Sequence, residues 1–139
     1  MTGTFRRALY GFYENELVNN ILTFWLPRCV DREYGGYFNC FNNAGTELVS
    51  TDKYAWSQGR FVWLFSKLSM LESPTFFTKQ KECFLELAGA GASFLQTHCL
   101  VGRDDWRCAF LLDRKGQPKR VDGYDELDLS VYADCFVVA

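Results

Sequence analysis

Thr51-Asp52-Lys53-Tyr54-Ala55-Trp56-Ser57-Gln58-Gly59-Arg60-Phe61-Val62-Trp63-Leu64-Phe65 is the stretch whose reading decides the fold. Trp56, Phe61, Val62, Trp63, Leu64, Phe65 and Leu68 leave almost no polar face, so the pattern predicts a helix over about Lys53 to Leu71. A helix apolar nearly all round is usually buried in a larger assembly. Ser50-Thr51-Asp52 offers N-cap chemistry just ahead of it. Gln58 and Arg60 interrupt the apolar run. A buried guanidinium is costly without partners. One reading is a structural salt bridge to a carboxylate. The other is an arginine reaching into a polar cavity and donating to ligand oxygens. Gly59 favours close backbone approach over helix stability, and it leans toward the second reading.

Upstream, Leu9, Tyr13, Leu17, Ile21 and Trp25 recur every four residues and predict a helix over residues 4 to 26, stopped by Pro27. Tyr37 to Phe41 looks like a strand and Thr46 to Val49 a returning one, with the turn chemistry of Asn42-Asn43-Ala44-Gly45 between them, which predicts a small hairpin. Downstream, Pro74 restarts the pattern. Residues 75 to 98 follow as a third helix, with Phe77, Phe84, Leu87, Ala88, Gly91, Phe94 and Leu95 on one face. Cys108 to Leu112 and Gln117 to Lys119, joined through Asp113 to Gly116, predict a second hairpin. Ser130 opens a last helical pattern with Tyr132, Phe136 and Val137. That pattern reaches Ala139 with no C-cap signal, and truncation, or an end that pairs with something else, is the expectation.

Composition narrows the function classes. At 139 residues, 48% hydrophobic and 23% charged, the chain can hold its own core. Aromatics reach 17%, which suits a dense core and also suits packing on the apolar face of a pyranose. The net charge is −2 and no run of five basic residues occurs, so nucleic acid is not an expected partner. No apolar run is long enough to span a bilayer, and no signal peptide is recognisable. Cys29, Cys40, Cys83, Cys99, Cys108 and Cys135 form no CxxC pair, so reduced, mostly buried thiols in a cytoplasmic protein are expected. His98 is the single histidine, and Cys99 is the one potential metal ligand beside it, so no zinc site is expected.

Two blocks carry a family resemblance. Asp31-Arg32-Glu33-Tyr34-Gly35-Gly36-Tyr37-Phe38-Asn39-Cys40 and Asp52-Lys53-Tyr54-Ala55-Trp56-Ser57-Gln58-Gly59-Arg60 resemble the N-terminal signature of the N-acylglucosamine 2-epimerase and cellobiose 2-epimerase superfamily. Arg107-Cys108-Ala109-Phe110, Arg114-Lys115-Gly116-Gln117-Pro118 and Tyr132-Ala133-Asp134-Cys135-Phe136 are similar to its next blocks. The resemblance implies an all-α fold: a partial (α/α)6 barrel of about four helices, with small β-hairpins in the connections. Residues 1–139 would be the N-terminal part of such an epimerase domain. Its reaction works at C2 of an open-chain aldose or N-acylhexosamine through an enediolate, with two histidines moving the proton. The family's catalytic arginine maps onto Arg60, with Tyr54, Trp56, Gln58 and Trp63 around it and Tyr132 at a substrate-contacting position.

The family's histidines have no counterpart here. His98 falls in no family motif, and Glu126 and Asp134 are too acidic as bases unless strongly perturbed, so both read as structural. The chain is therefore expected to be inactive alone, with a sugar as its ligand. No cofactor is expected, although a nucleotide modulates some relatives. Four helices of a barrel leave an apolar edge, which self-association or a complementing C-terminal segment would cover. A non-catalytic carbohydrate-binding or self-associating module is the rival expectation.

Overall fold

The computed structural model describes residues 3–72 and 77–139; for Thr78 only the backbone is described. The predicted restart at Pro74 and the first two residues of the third predicted helix lie outside the described residues. The chain divides into two units, Met1–Val30 and Asp31–Ala139.

The first unit is helical, and its helix is not uniform. α1 (Gly3–Glu16) runs into a π-helical segment, Leu17–Leu22, and then into a short α2 (Thr23–Trp25). The four-residue spacing found the helix but not the wider turn. The Thr23 hydroxyl lies 2.8 Å from the Val18 carbonyl oxygen and 2.7 Å from that of Asn19, within reach of both groups that the widened turn shifts. The chain leaves the helix at Leu26 and Pro27, as expected.

The second unit holds three helices and three small sheets among the described residues. β1 (Cys40–Phe41) and β2 (Leu48–Ser50) form the first predicted hairpin, shorter than the sequence suggests. Asn42 closes it, its side-chain oxygen accepting from the Thr46 amide at 2.9 Å. β3 (Lys53–Tyr54) then pairs with β6 (Leu111–Leu112), which pairs with β7 (Pro118–Lys119). This pairing corrects the expected start of the central helix. α3 spans Ala55–Ser69, its N-cap is the extended Tyr54, and no side chain caps it. The Ser50 hydroxyl instead accepts from the Asp52 amide at 3.1 Å. The strand takes Lys53 and Tyr54 before the helix can.

α4 (Phe77–His98) buries the predicted face: Phe77, Phe84, Ala88, Phe94 and Leu95 are all buried. β4 (Leu100–Gly102) and β5 (Asp105–Cys108) make a hairpin the sequence reading did not anticipate. α5 (Val131–Val138) begins where expected, with the Ser130 hydroxyl accepting from the Tyr132 amide.

Two cores hold this unit together. One is a run of rings, in which Tyr37 packs on Phe61 (4.9 Å) and Phe65 (5.5 Å), and Phe65 stacks on Phe84 (6.2 Å). The other joins Ala55, Leu95, Cys99, Cys108 and Ala133, four small residues beside a single leucine. Small side chains here let α3, α4, α5 and the β4–β5 hairpin approach closely. All six cysteines are free; Cys29, Cys99 and Cys108 are buried, Cys40 is half-buried, and Cys83 and Cys135 are exposed.

Candidate functional site

The N-terminal end of α3 is anchored by charge. Lys53 and Asp31 are both fully buried and meet at 3.0 Å. The Lys53 ammonium also donates to the carbonyls of Gly35 (2.7 Å) and Arg114 (2.6 Å), so its three protons are all placed. Its charge lies over the Phe94 ring at 4.8 Å. Asp31 accepts in turn from the amides of Glu33 and Tyr34 and from the Arg114 guanidinium at 3.1 Å. Arg114 reaches on to Glu33 at 2.9 Å. Burial pushes the Asp31 carboxyl up, but the hydrogen bonds from Arg114, Lys53 and the two amides outweigh it and hold the group below the usual carboxylate range. For Lys53 burial wins over the nearby carboxylate, and its ammonium sits below the ordinary lysine value.

A second clamp lies within α3. Gln58 is fully buried. Its amide oxygen accepts from the Tyr37 N–H at 2.7 Å and its amide nitrogen donates to the Tyr37 carbonyl at 2.9 Å. Gly36 makes this possible. Its φ is +70°, and a Cβ there would lie 2.8 Å from the Gln58 side-chain oxygen. The Tyr37 hydroxyl donates to the Leu87 carbonyl at 2.5 Å, tying the same segment to α4.

On another face of α3 the chemistry is open. Arg60 is exposed and makes no hydrogen bond or ion pair among the described residues. Its guanidinium lies 5.0 Å from the centre of the Phe136 ring. Trp56, one turn earlier on α3, packs against Phe136 at 6.4 Å. Gly59 sets this geometry, because a Cβ on it would strike the Phe136 backbone carbonyl. The close backbone approach read from Gly59 is thus present, between α3 and α5. Arg60 is exposed, not buried, and the structural salt bridge to a carboxylate is absent among the described residues. The guanidinium is paired with a ring, not a carboxylate.

The chain has similar proteins among those already known. No family model matches the chain. Over 119 residues, or 86% of its length, it is 31% identical to N-acylglucosamine 2-epimerase of Homo sapiens. It is 32% identical to that of Mus musculus over 88% of its length. The matched stretch includes most of the blocks that form the two clamps and carry Arg60. These likenesses support, over the part the chain spans, the N-acylglucosamine 2-epimerase superfamily. It spans about a quarter of the length of these relatives (25% and 26%). A solved cellobiose 2-epimerase from Bacillus thermoamylovorans superposes with a TM-score of 0.66 at 24% identity, covering 81% of this chain and 27% of that one. That likeness shows the fold alone, mostly helical with small sheets.

The superfamily signature is distributed unevenly over the structure. Trp56 and Arg60 come together with Phe136. Trp63, 51% exposed, lines a separate cavity of about 390 Å³ with Gly59, Val62, Leu95 and Phe136, and Arg60 is not among its lining residues. Tyr54 packs edge-on against Phe110 at 5.6 Å. Gln58 has both amide atoms committed to Tyr37. Tyr132 is 69% exposed at the start of α5. His98 ends α4 against the Phe94 ring at 4.8 Å. Asp134 accepts from the Cys108 amide at 2.7 Å, and Glu126 is exposed. The sequence reading missed Asp31, Lys53 and Arg114 as one cluster and Phe136 as the partner of Arg60. All four lie inside the signature-like blocks of the sequence.

Among the described residues no group of His, Cys, Asp and Glu could hold a metal ion. No described helix is long and apolar enough to cross a membrane.

Proposed function

We propose that this chain forms the first part of a sugar 2-epimerase or isomerase barrel of the (α/α)6 kind, and that it supplies a substrate-binding arginine, not the proton-transfer groups. The observation that carries the reading is Arg60: exposed, propped on Phe136, and without a carboxylate partner among the described residues. An arginine placed so has its N–H donors available for ligand oxygens.

The relatives are named for changing configuration at C2 of a sugar. In an open-chain aldose or N-acylhexosamine the C2 proton is acidified by the neighbouring carbonyl. As that proton leaves, negative charge builds on the carbonyl oxygen, and a fixed cation lowers the barrier. Arg60 is assigned that task. Return of a proton to the opposite face of C2 gives the epimer; for an aldose with a free 2-hydroxyl, return to C1, with the hydroxyl proton passing from O2 to O1, gives the ketose. A base with a pKa near neutrality is needed, for which histidine is suited. The one histidine of this sequence, His98, is packed against Phe94 at the end of α4. Proton transfer is therefore assigned to residues beyond those present here, on a complementing C-terminal segment. Trp56 is proposed to flank the sugar beside Arg60, with Tyr54, Trp63 and Tyr132 as outer contacts. Gln58 serves the site indirectly, by holding the Tyr37 backbone.

N-acetylmannosamine titrated against the chain, with binding followed by NMR in D2O, tests both halves. Binding that disappears in Arg60→Ala, with no exchange of the C2 proton for deuterium, is expected. Exchange catalysed by the chain alone would overturn the division of labour, and unchanged binding in Arg60→Ala would overturn the role of Arg60.

A further inference from the structure

The partner chosen for Arg60 is chemically informative. A carboxylate would bind the guanidinium edge through two parallel N–H bonds and occupy those donors. An aromatic ring does something different. It attracts the face of the guanidinium and leaves the N–H groups, which radiate in its plane, unoccupied. Arg60 lies over a ring and, among the described residues, donates to nothing.

That ring is held in place independently of Arg60. The Ser130 cap starts α5, and Ala133 is fully buried in the core beside Ala55. Asp134 is fixed by the Cys108 amide. The Phe136 carbonyl seats against Gly59, where any side chain would collide. Trp56 packs on the ring as well, 6.4 Å away with the planes inclined by 50°. Phe136 is thus placed by contacts that do not involve the Arg60 side chain.

We infer that Phe136 is the positioning residue of Arg60: its face orients the guanidinium so that the N–H edge is presented, unoccupied, to a ligand oxygen. The orienting half stands on geometry alone. The ligand half rests on the reading of Arg60 as a sugar-binding group, and the two halves are tested separately.

The chain labelled with 15N supplies the first readout. The Arg60 side-chain Nε–H signal is assigned by its loss in Arg60→Lys. In the wild-type chain it is expected upfield of the other arginine signals, because it lies over a ring face. Phe136→Leu removes the ring but keeps an apolar side chain, and it is expected to return that signal to the ordinary position. The Cys108 amide signal, which reports the Asp134 bond, stays in place. Phe136→Tyr, which keeps the ring, retains the upfield signal. An unshifted Arg60 signal in the wild-type chain, or one that Phe136→Leu leaves unchanged, overturns the assignment. The second readout is the affinity for N-acetylmannosamine, expected to weaken about two- to fivefold in Phe136→Leu and to recover in Phe136→Tyr. A ring-shifted Arg60 whose signal does not respond to the sugar upholds the positioning by Phe136 and overturns the sugar reading of Arg60.

Discussion

Replacing Asp31 by alanine tests the anchor beneath α3 most directly. Lys53 is fully buried and Asp31 is its counter-ion at 3.0 Å. Alanine would strand that ammonium with two carbonyls and no negative charge, and would leave the Glu33 and Tyr34 amides without their acceptor. Removing one partner of a buried pair costs about 3–5 kcal/mol. Lys53→Met should cost less, about 2 kcal/mol, because Asp31 keeps Arg114 and both amides while the methionine fills the space. A double replacement, Asp31→Leu with Lys53→Met, leaves no unpaired ammonium. Its loss should fall short of the sum of the two single losses by at least about 1 kcal/mol. Urea unfolding followed by far-ultraviolet circular dichroism measures all three as shifts in the midpoint. A small domain has about 5–15 kcal/mol in total, so the largest effect removes a third or more of it. Should Asp31→Ala prove unfolded without urea, Asp31→Asn gives the graded version. A loss below about 1 kcal/mol for Asp31→Ala, or a double variant no better than additive, would refute the view that these charges hold the segment as a unit.

Acid should act through the same carboxylate. Its folded-state pKa is lowered, so the stability it contributes is present above the ordinary unfolded value of about 4 and is lost as the pH falls through the folded one. Unfolding midpoints measured from pH 6 downward should decline, and Asp31→Asn should flatten that decline; a variant with an unchanged slope removes Asp31 as the cause. Gly36→Ala should destabilise by about 1–3 kcal/mol, since it meets both a left-handed backbone angle and the Gln58 oxygen 2.8 Å away, whereas Gly89→Ala, in open space on α4, should not destabilise in the same urea titration. Thiol chemistry should divide the cysteines: Cys83 and Cys135 react with a disulfide reagent at pH 8 in the native chain, while Cys108, pushed up to about 12 chiefly by burial, reacts only after unfolding. Rapid native labelling of Cys108, read by peptide mass, would contradict its placement in the core.

What could be read from the sequence followed periodicity. α4 buries the face its apolar spacing marks, and α5 starts at the serine its capping chemistry marks. What escaped was set by contacts between distant residues. Lys53 and Tyr54 have helical neighbours on one side, yet they pair with Leu112 and Leu111, nearly sixty positions away. Nothing local announces such a partner. The Leu100–Gly102 strand is three residues long and one residue past a helix, too short to show alternation. The π-helical segment at Leu17–Leu22 keeps the apolar spacing of an ordinary helix, so its extra width left no mark in the pattern. Gln58 shows the same limit in the site. Its place among aromatics marked it as special, but only the fold reveals that its amide pairs with a backbone.

Two of the arginines of the signature blocks, Arg114 and Arg60, show how such motifs divide between folding and chemistry. Arg114 lies beside Asp31 and Glu33, and its charge is matched where the loops meet. Arg60 lies two positions after a buried glutamine on the same helix, yet it has only a ring beneath it. An arginine needed for stability alone would gain more from a carboxylate, which pairs its charge and its donors together. A ring gives up the hydrogen bonds and keeps the orientation. That choice is unfavourable for a merely structural group and suits one whose donors must remain open. The preceding glycine points the same way. Gly59 costs helix stability of about 1 kcal/mol relative to alanine, and what it permits is the approach of α5 that carries Phe136 under Arg60. Substituting Gly59 by alanine should therefore uncouple the ring from the guanidinium, and with it the orientation of the Arg60 donors.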